Sequence, residues 1–195
     1  SSSAASDVYK RQKDKKFFSN LTGNDGMCPV CLGAGYIEYG GDYHQSMRVE
    51  CRECEGTGFN KNLKKYKIKG KSIFDVWKMT LDEAIDFFED IDKSITKVCI
   101  TASEIMLGHL QIGQATATLS GGENIRIKIM KASKSTAKVI GVDEPFKGLS
   151  NIEIDAVANY LNRIREKGKT LIVIDHSTGV EDYFSQWIQI ENIDN

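Results

Sequence analysis

The sequence predicts an α/β protein with an inserted cysteine module and a helical segment between the two. Three observations carry the prediction. Two short β-rich apolar runs end in acidic residues: Val139-Ile140-Gly141-Val142 leads into Asp143-Glu144, and Leu171-Ile172-Val173-Ile174 leads into Asp175-His176. Between them Ser150 and Glu153 form a capping-box pattern that opens an amphipathic helix to about Glu166, with Gly168 placed to stop it. Four of the five cysteines fall between Cys28 and Cys54. Apolar runs of this kind suit strands of a parallel sheet covered on both faces. Carboxylates and an imidazole at strand C-terminal ends sit where open α/β sheets bind ligands.

Composition narrows the function classes. A hydrophobic share of 41% and a charged share of 27% are ordinary for a soluble globular protein. A net charge of −1 means that any basic surface must be local. No apolar run is long enough to span a bilayer and no signal-peptide pattern is present, so the expectation is a cytoplasmic protein without a membrane partner.

Taken in order, 1–12 is small, polar and patternless and reads as adapter- or linker-derived sequence outside the fold. On that reading the natural N-terminus is missing. The region 13–71 is expected to be a zinc-knuckle module. Cys28-Pro-Val-Cys31-Leu-Gly-Ala-Gly35 and Cys51-Arg-Glu-Cys54-Glu-Gly-Thr-Gly58 repeat one pattern, C-x-x-C-x-G-x-G. Its two-residue gap lets both thiolates face one ion, and its glycines free amide N–H groups to bond sulfur. Cys28, Cys31, Cys51 and Cys54 therefore read as a closed, structural zinc site, with a hairpin of 36–39 and 45–49 between the knuckles and Cys99 left as a free thiol. His44, near the hairpin turn, reads as a solvated or pairing residue rather than a ligand. A basic segment follows, in which Lys61, Lys64, Lys65, Lys67, Lys69 and Lys71 interleave with Phe59 and Tyr66. It suits contact with nucleic-acid phosphates, and a solvated strand or loop face explains the same residues.

Gly70-Lys71-Ser72 and Gly168-Lys169-Thr170 end like a phosphate-binding Walker A loop. The glycine needed five positions earlier is Lys65 in one and Arg163 in the other, so both are false matches. The region 72–118 turns helical: Ser72 caps a helix through Trp77, Thr80 and Glu83 box the start of 81–88, and 93–106 has apolar residues at helical spacing. Trp77, Phe87, Phe88 and Cys99 are expected in its core, and His109 in a loop or packing role. The region 119–195 opens with Leu119-Ser120-Gly121-Gly122-Glu123 ahead of a helical run. The glycines suit close approach of a ligand and the helix start suits an anion; a capped turn between helices explains the same residues. Residues 187–190 read as a further strand.

Motif order adds a resemblance. Leu119 to Glu123 resembles the ABC ATPase signature, Val139 to Glu144 a Walker B strand with its glutamate, and His176 the switch histidine. The knuckle pattern alone resembles the DnaJ chaperone zinc domain, but that family lacks the signature and Walker B segments. Knuckles, then Met79-Thr80-Leu81-Asp82-Glu83-Ala84, then 113–123, resemble the second ATPase cassette of the UvrA family over nearly all of 16–190. The resemblance implies an ABC-type P-loop ATPase lobe whose Walker A loop precedes the zinc module, so that this chain alone is expected to be inactive. It implies ATP and Mg²⁺ beside Zn²⁺: Asp143 holding the metal's hydration shell, Glu144 acting on the attacking water, His176 contacting the γ-phosphate, and Ser120, Gly121, Gly122 and Glu123 serving nucleotide on another cassette. It also implies a homodimer through composite ATP sites, double-stranded DNA as a partner, damage recognition in nucleotide excision repair, and loading of a UvrB-like subunit; Lys61, Lys64, Lys65 and Lys67 of the basic segment are the candidate DNA contacts.

Departures from the family pattern stand at Ile125, at Phe146-Lys147-Gly148-Leu149-Ser150 and in the C-terminal residues. They point to a divergent paralogue serving drug resistance or self-protection. Two other classes remain: a non-catalytic zinc-containing binding module, and a DnaJ-like chaperone.

Overall fold

The computed structural model describes residues 15–40 and 47–190. The expected linker at 1–12, Gly41 and Asp42 of the expected turn, His44 and residues 191–195 lie outside them. The chain forms two compact units, Ser1–Met79 and Thr80–Asn195.

The first unit is built around sulfur. Cys28, Cys31, Cys51 and Cys54 are buried with Phe59, Leu63 and Phe74. Strands β1 (Tyr36–Tyr39) and β2 (Met47–Glu50) pair antiparallel from Tyr36 opposite Glu50 to Tyr39 opposite Met47. The two knuckles clasp each other crosswise: the Cys28 N–H donates to the Gly58 carbonyl at 2.8 Å and the Cys51 N–H to the Gly35 carbonyl at 2.9 Å. A 3₁₀ turn at Lys61–Lys65 leads to β3 (Lys67–Ile68) and β4 (Lys71–Ser72), joined through Lys69 and Gly70 at φ 46° and 78°. Left-handed conformations at both positions of a two-residue loop match the twist of a hairpin. Gly70-Lys71-Ser72 is thus a hairpin corner, and Ser72 then caps α1 (Ile73–Lys78), accepting from the Asp75 N–H. Trp77, expected in the helical segment's core, belongs instead to this unit, edge-on to Phe59 with ring centroids 5.1 Å apart.

The second unit contains α2 (Leu81–Phe88), α3 (Lys93–Glu104), α4 (Gly121–Ser133), β5 (Val139–Asp143), α5 (Asn151–Glu166) and β6 (Thr170–Ile174). Thr80 and Asp92 cap the first two helices, which pack on each other. Strands β5 and β6 pair in parallel with Val139 opposite Thr170 and Asp143 opposite Ile174; α5 is the crossover that a parallel pair requires. Ile140, Val142, Leu171 and Val173 face a core shared with Val157, Ala158, Leu161 and Ile164 of α5. The expected cover on both faces is absent among the described residues: Val139, Ile172 and Ile174 on the other face are 55%, 55% and 58% exposed. Residues 187–190 are not a strand, and Ile188 and Ile190 are exposed. Among the described residues no edge pairs with them, and an apolar run becomes a strand only where its backbone groups find a ladder. Gly168-Lys169-Thr170 is the turn into β6: Gly168 has φ 86°, and the Lys169 ammonium donates to the carbonyls of Ser135 and Ala137, each at 2.6 Å.

One buried ion pair ties α4 to α5. Arg126 Nη1 donates to Glu153 Oε1 at 3.0 Å with the Arg126 side chain 5% exposed, while Glu153 Oε2 accepts from the Ser150 amide and hydroxyl. The Ser150 amide first, then Arg126, hold the Glu153 carboxyl down at about 2. A depressed carboxyl pKa stabilises the fold above the ordinary value, and that stabilisation is lost as pH falls through the folded value. Glu153→Gln is therefore expected to lower unfolding free energy by about 1–3 kcal/mol at pH 7, because it leaves Arg126 buried without its counter-charge. The mutant deficit should shrink as pH falls from about 4.5 towards about 2. Urea titrations of both proteins between pH 7 and pH 2.5 measure it; equal stability at pH 7 would refute the role given to the pair.

Candidate functional site

The four Sγ atoms of Cys28, Cys31, Cys51 and Cys54 lie within 4.8 Å of one another. Cys31 and Cys54 are 3.6 Å apart and Cys28 and Cys51 4.0 Å. Zinc–sulfur bonds of about 2.3 Å place tetrahedral sulfurs about 3.8 Å apart, so the set fits one zinc ion. The glycines of the pattern do what the spacing predicted: the Gly35 N–H points at Cys31 Sγ and the Gly58 N–H at Cys54 Sγ, each at 3.2 Å. Gly58 also has φ 75°, and a Cβ there would stand 2.3 Å from the Gly33 carbonyl oxygen. Burial pushes the Cys54 and Cys28 thiols up, so a bound cation is what would make these two thiolates compatible with the interior. Four protein ligands would leave no position open on an ion held there, the arrangement of a structural rather than a catalytic site.

The basic segment is partly neutralised within its own unit. Lys61 pairs with Glu53 at 2.7 Å, and Glu55 accepts from both Lys64 and Lys78. The Lys65 ammonium lies 5.2 Å from the Tyr66 ring centroid, and Lys67 is exposed on β3.

In the second unit the C-terminal ends of β5 and β6 form a platform. The Glu144 N–H donates to the Ile174 carbonyl at 2.8 Å, which continues the ladder beyond Asp143. Glu144 itself has φ 48°, a left-handed conformation uncommon outside glycine that sharply turns the chain. Asp175, next to His176, binds the two loops together: Oδ2 accepts from the Phe146 N–H at 2.9 Å and Oδ1 from the Ser177 N–H at 2.7 Å. Burial raises the Asp175 carboxyl, and the hydrogen bonds from Ser177 and Phe146 outweigh it and hold the group below its ordinary value. Asp143 and His176 are exposed at these strand ends. Their outward position leaves them accessible to a ligand.

The start of α4 is a capping box. The Glu123 N–H donates to Ser120 Oγ at 3.2 Å, and Glu123 Oε2 accepts from the Ser120 N–H at 2.7 Å. Glu123 Oε1 meets His109 Nε2 at 2.9 Å. The Ser120 amide and then His109 hold the Glu123 carboxyl below its ordinary value. Both oxygens of Glu123 are thus engaged inside the chain, and the residue shapes the loop. Gly121 and Gly122 are different. A Cβ on Gly121 would meet nothing within 4 Å, and one on Gly122 would make only ordinary contact with Leu149 at 3.4 Å. Neither has a positive φ, so no contact among the described residues requires glycine there. The first N–H groups of a helix have no intrahelical acceptor, and here the Cβ-free surface leaves them approachable.

Sequence reasoning missed three of these contributors. His109 had no motif to mark it. Asp175 was visible only as a strand-end acid, without its two amide donors. The Lys147 ammonium meets Glu144 Oε2 at 2.6 Å, a pair that i,i+3 spacing after a strand does not predict. Phe146, a departure from the family pattern, is fully buried against Phe184.

No family model matches the chain. It is 37% identical over 168 residues to UvrABC system protein A of Rickettsia bellii, covering 85% of this chain and 17% of that protein. The UvrABC system protein A of Clostridium perfringens is 36% identical over 168 residues, with 85% of this chain and 18% of that protein covered. The crystal structure of UvrA2 from Deinococcus radiodurans superposes with a TM-score of 0.76 at 32% identity, covering 88% of this chain and 21% of that one. The chain thus spans less than a fifth of the length of the curated relatives described.

Removing one thiol tests the metal reading of the cysteines. The purified protein is expected to carry about one zinc per chain, and Cys51→Ser to carry almost none. Elemental analysis after gel filtration measures this; wild-type protein without bound metal would overturn the assignment.

Proposed function

The chain belongs to the UvrA family, and from that premise we propose that it is part of an ATP-dependent DNA-binding ATPase that recognises damage in nucleotide excision repair. The observation that carries the nucleotide reading is the bare start of α4. Two glycines that packing among the described residues does not require are the first two residues of the helix, where their own N–H groups suit an anion. Glycine at a helix position costs up to about 1 kcal/mol against alanine, so its presence fits close approach by something outside this chain.

In this reading Ser120, Gly121 and Gly122 face the γ-phosphate of a nucleotide seated on another cassette of a homodimer, and Glu123 keeps their loop in shape. Asp143 stands to hold the hydration shell of a magnesium ion, which would offset phosphate charge. Glu144 orients or deprotonates the attacking water, and His176 contacts the γ-phosphate. Asp175 keeps the loops that carry these residues at one height. The exposed face of β5 and β6 fits cover by the rest of the cassette. DNA contact falls to the first unit, where Lys65 and Lys67 are better candidates than the ion-paired Lys61 and Lys64. Loading of a UvrB-like subunit follows from the family role. A second reading, a paralogue serving drug resistance or self-protection, draws on Ile125, Phe146 and Lys147.

Two substitutions in the intact protein test the site. Gly121→Val should leave thermal stability within about 1 kcal/mol of wild type, since its side chain projects into open space, yet reduce ATP turnover at least tenfold. Unchanged turnover would remove the signature role. Glu144→Gln should cut turnover by about 10²–10⁴ while nucleotide stays bound. If that variant neither retains ATP in filter binding nor binds DNA at low salt, the reading as an ATPase fails.

A further inference from the structure

Glu144 is not free in this structure. Its Oε2 meets the Lys147 ammonium at 2.6 Å, and the two residues share one turn, the Lys147 N–H approaching the Glu144 carbonyl at 3.4 Å. The turn is held from both sides: Glu144 is tethered by its N–H to Ile174, Phe146 by its N–H to Asp175, and Leu149 by its N–H to the Phe146 carbonyl at 3.1 Å. Glu144 is in the left-handed region at φ 48°, and its carboxylate reaches the side chain three residues on, at Lys147. Lys147 is also under the influence of Asp143 and Asp175, and the Glu144 carboxylate, acting first through its hydrogen bond, raises the ammonium above its ordinary value. The Lys147 side chain is 69% exposed and that of Glu144 33% exposed. The pair therefore sits at the open edge of the platform, not in the core.

We propose that Lys147 is a positioning residue that restrains ATP hydrolysis by holding the Glu144 carboxylate away from the attacking water. A carboxylate oxygen engaged by an ammonium is a weaker acceptor for a water proton. The hydrolysis-competent arrangement then requires the pair to open. The inference rests on the ATPase reading of Glu144 given above. It adds a determinant of rate at a position where this chain departs from the family pattern.

The test uses the intact protein with its Walker A region. An exposed ion pair contributes little, so its release should change turnover modestly. Lys147→Gln and Lys147→Thr are expected to raise kcat about two- to fivefold with KM for ATP unchanged, whereas Lys147→Arg, which keeps the cation, returns the lower rate. The exposure of Lys147 makes loss of folding in these variants unexpected, and matching circular dichroism melts check it. An unchanged or lowered kcat in both neutral variants overturns the proposal while leaving the ATPase reading intact. Absence of turnover in wild type, together with no ATP retention by Glu144→Gln, brings down both.

Discussion

The second unit depends on one carboxylate. Asp175 lies just past β6, yet it accepts the amide of Phe146, just past β5. A parallel pair of strands aligns its C-terminal ends but says nothing about the loops that leave them. The two bonds to Asp175 make those loops one surface, so Asp143, Glu144 and His176 belong to a single platform. A part-buried carboxylate that receives two N–H groups stays ionised and is costly to displace.

Around it, the same local device recurs. Ser72, Thr80, Ser120 and Ser150 each begin a helix with an acidic residue three positions later that reaches back to the cap. At Ser150 the acid also neutralises buried Arg126, and at Ser120 it also meets His109. Helix starts are thereby tied to neighbouring elements. In the unit containing Ser120 and Ser150, these ties position the start of α4 and the loop before α5.

The first unit solves a different problem. Its apolar core is small, and two hairpins of a few residues are marginal alone. Four inward thiols with amides directed at two of them replace much of what a larger core would supply. Glu53 and Glu55 hold Lys61 and Lys64 close to the knuckle that carries these acids, so the basic stretch presents less free charge than its composition implies.

The local grammar was legible in the residues. Cys-x-x-Cys repeats with glycines, capping boxes, and apolar runs ending in acids gave the knuckles, the helix starts and the β5-α5-β6 unit, because each depends on contacts a few residues apart. What the sequence did not disclose depends on distant partners. Trp77 fits a helical face, but Phe59 decides which unit it joins. Residues 187–190 are apolar enough for a strand, but no edge among the described residues receives them. The β5 and β6 runs suit cover on both faces, and the described residues cover one of them. The sequence by itself determined which residues cap, cluster as thiols and terminate, since those are properties of short segments. Tertiary structure alone decided that Asp175 joins two loops, that His109 meets Glu123 and that Lys147 holds Glu144, since these pairings depend on how the chain folds and turns in space.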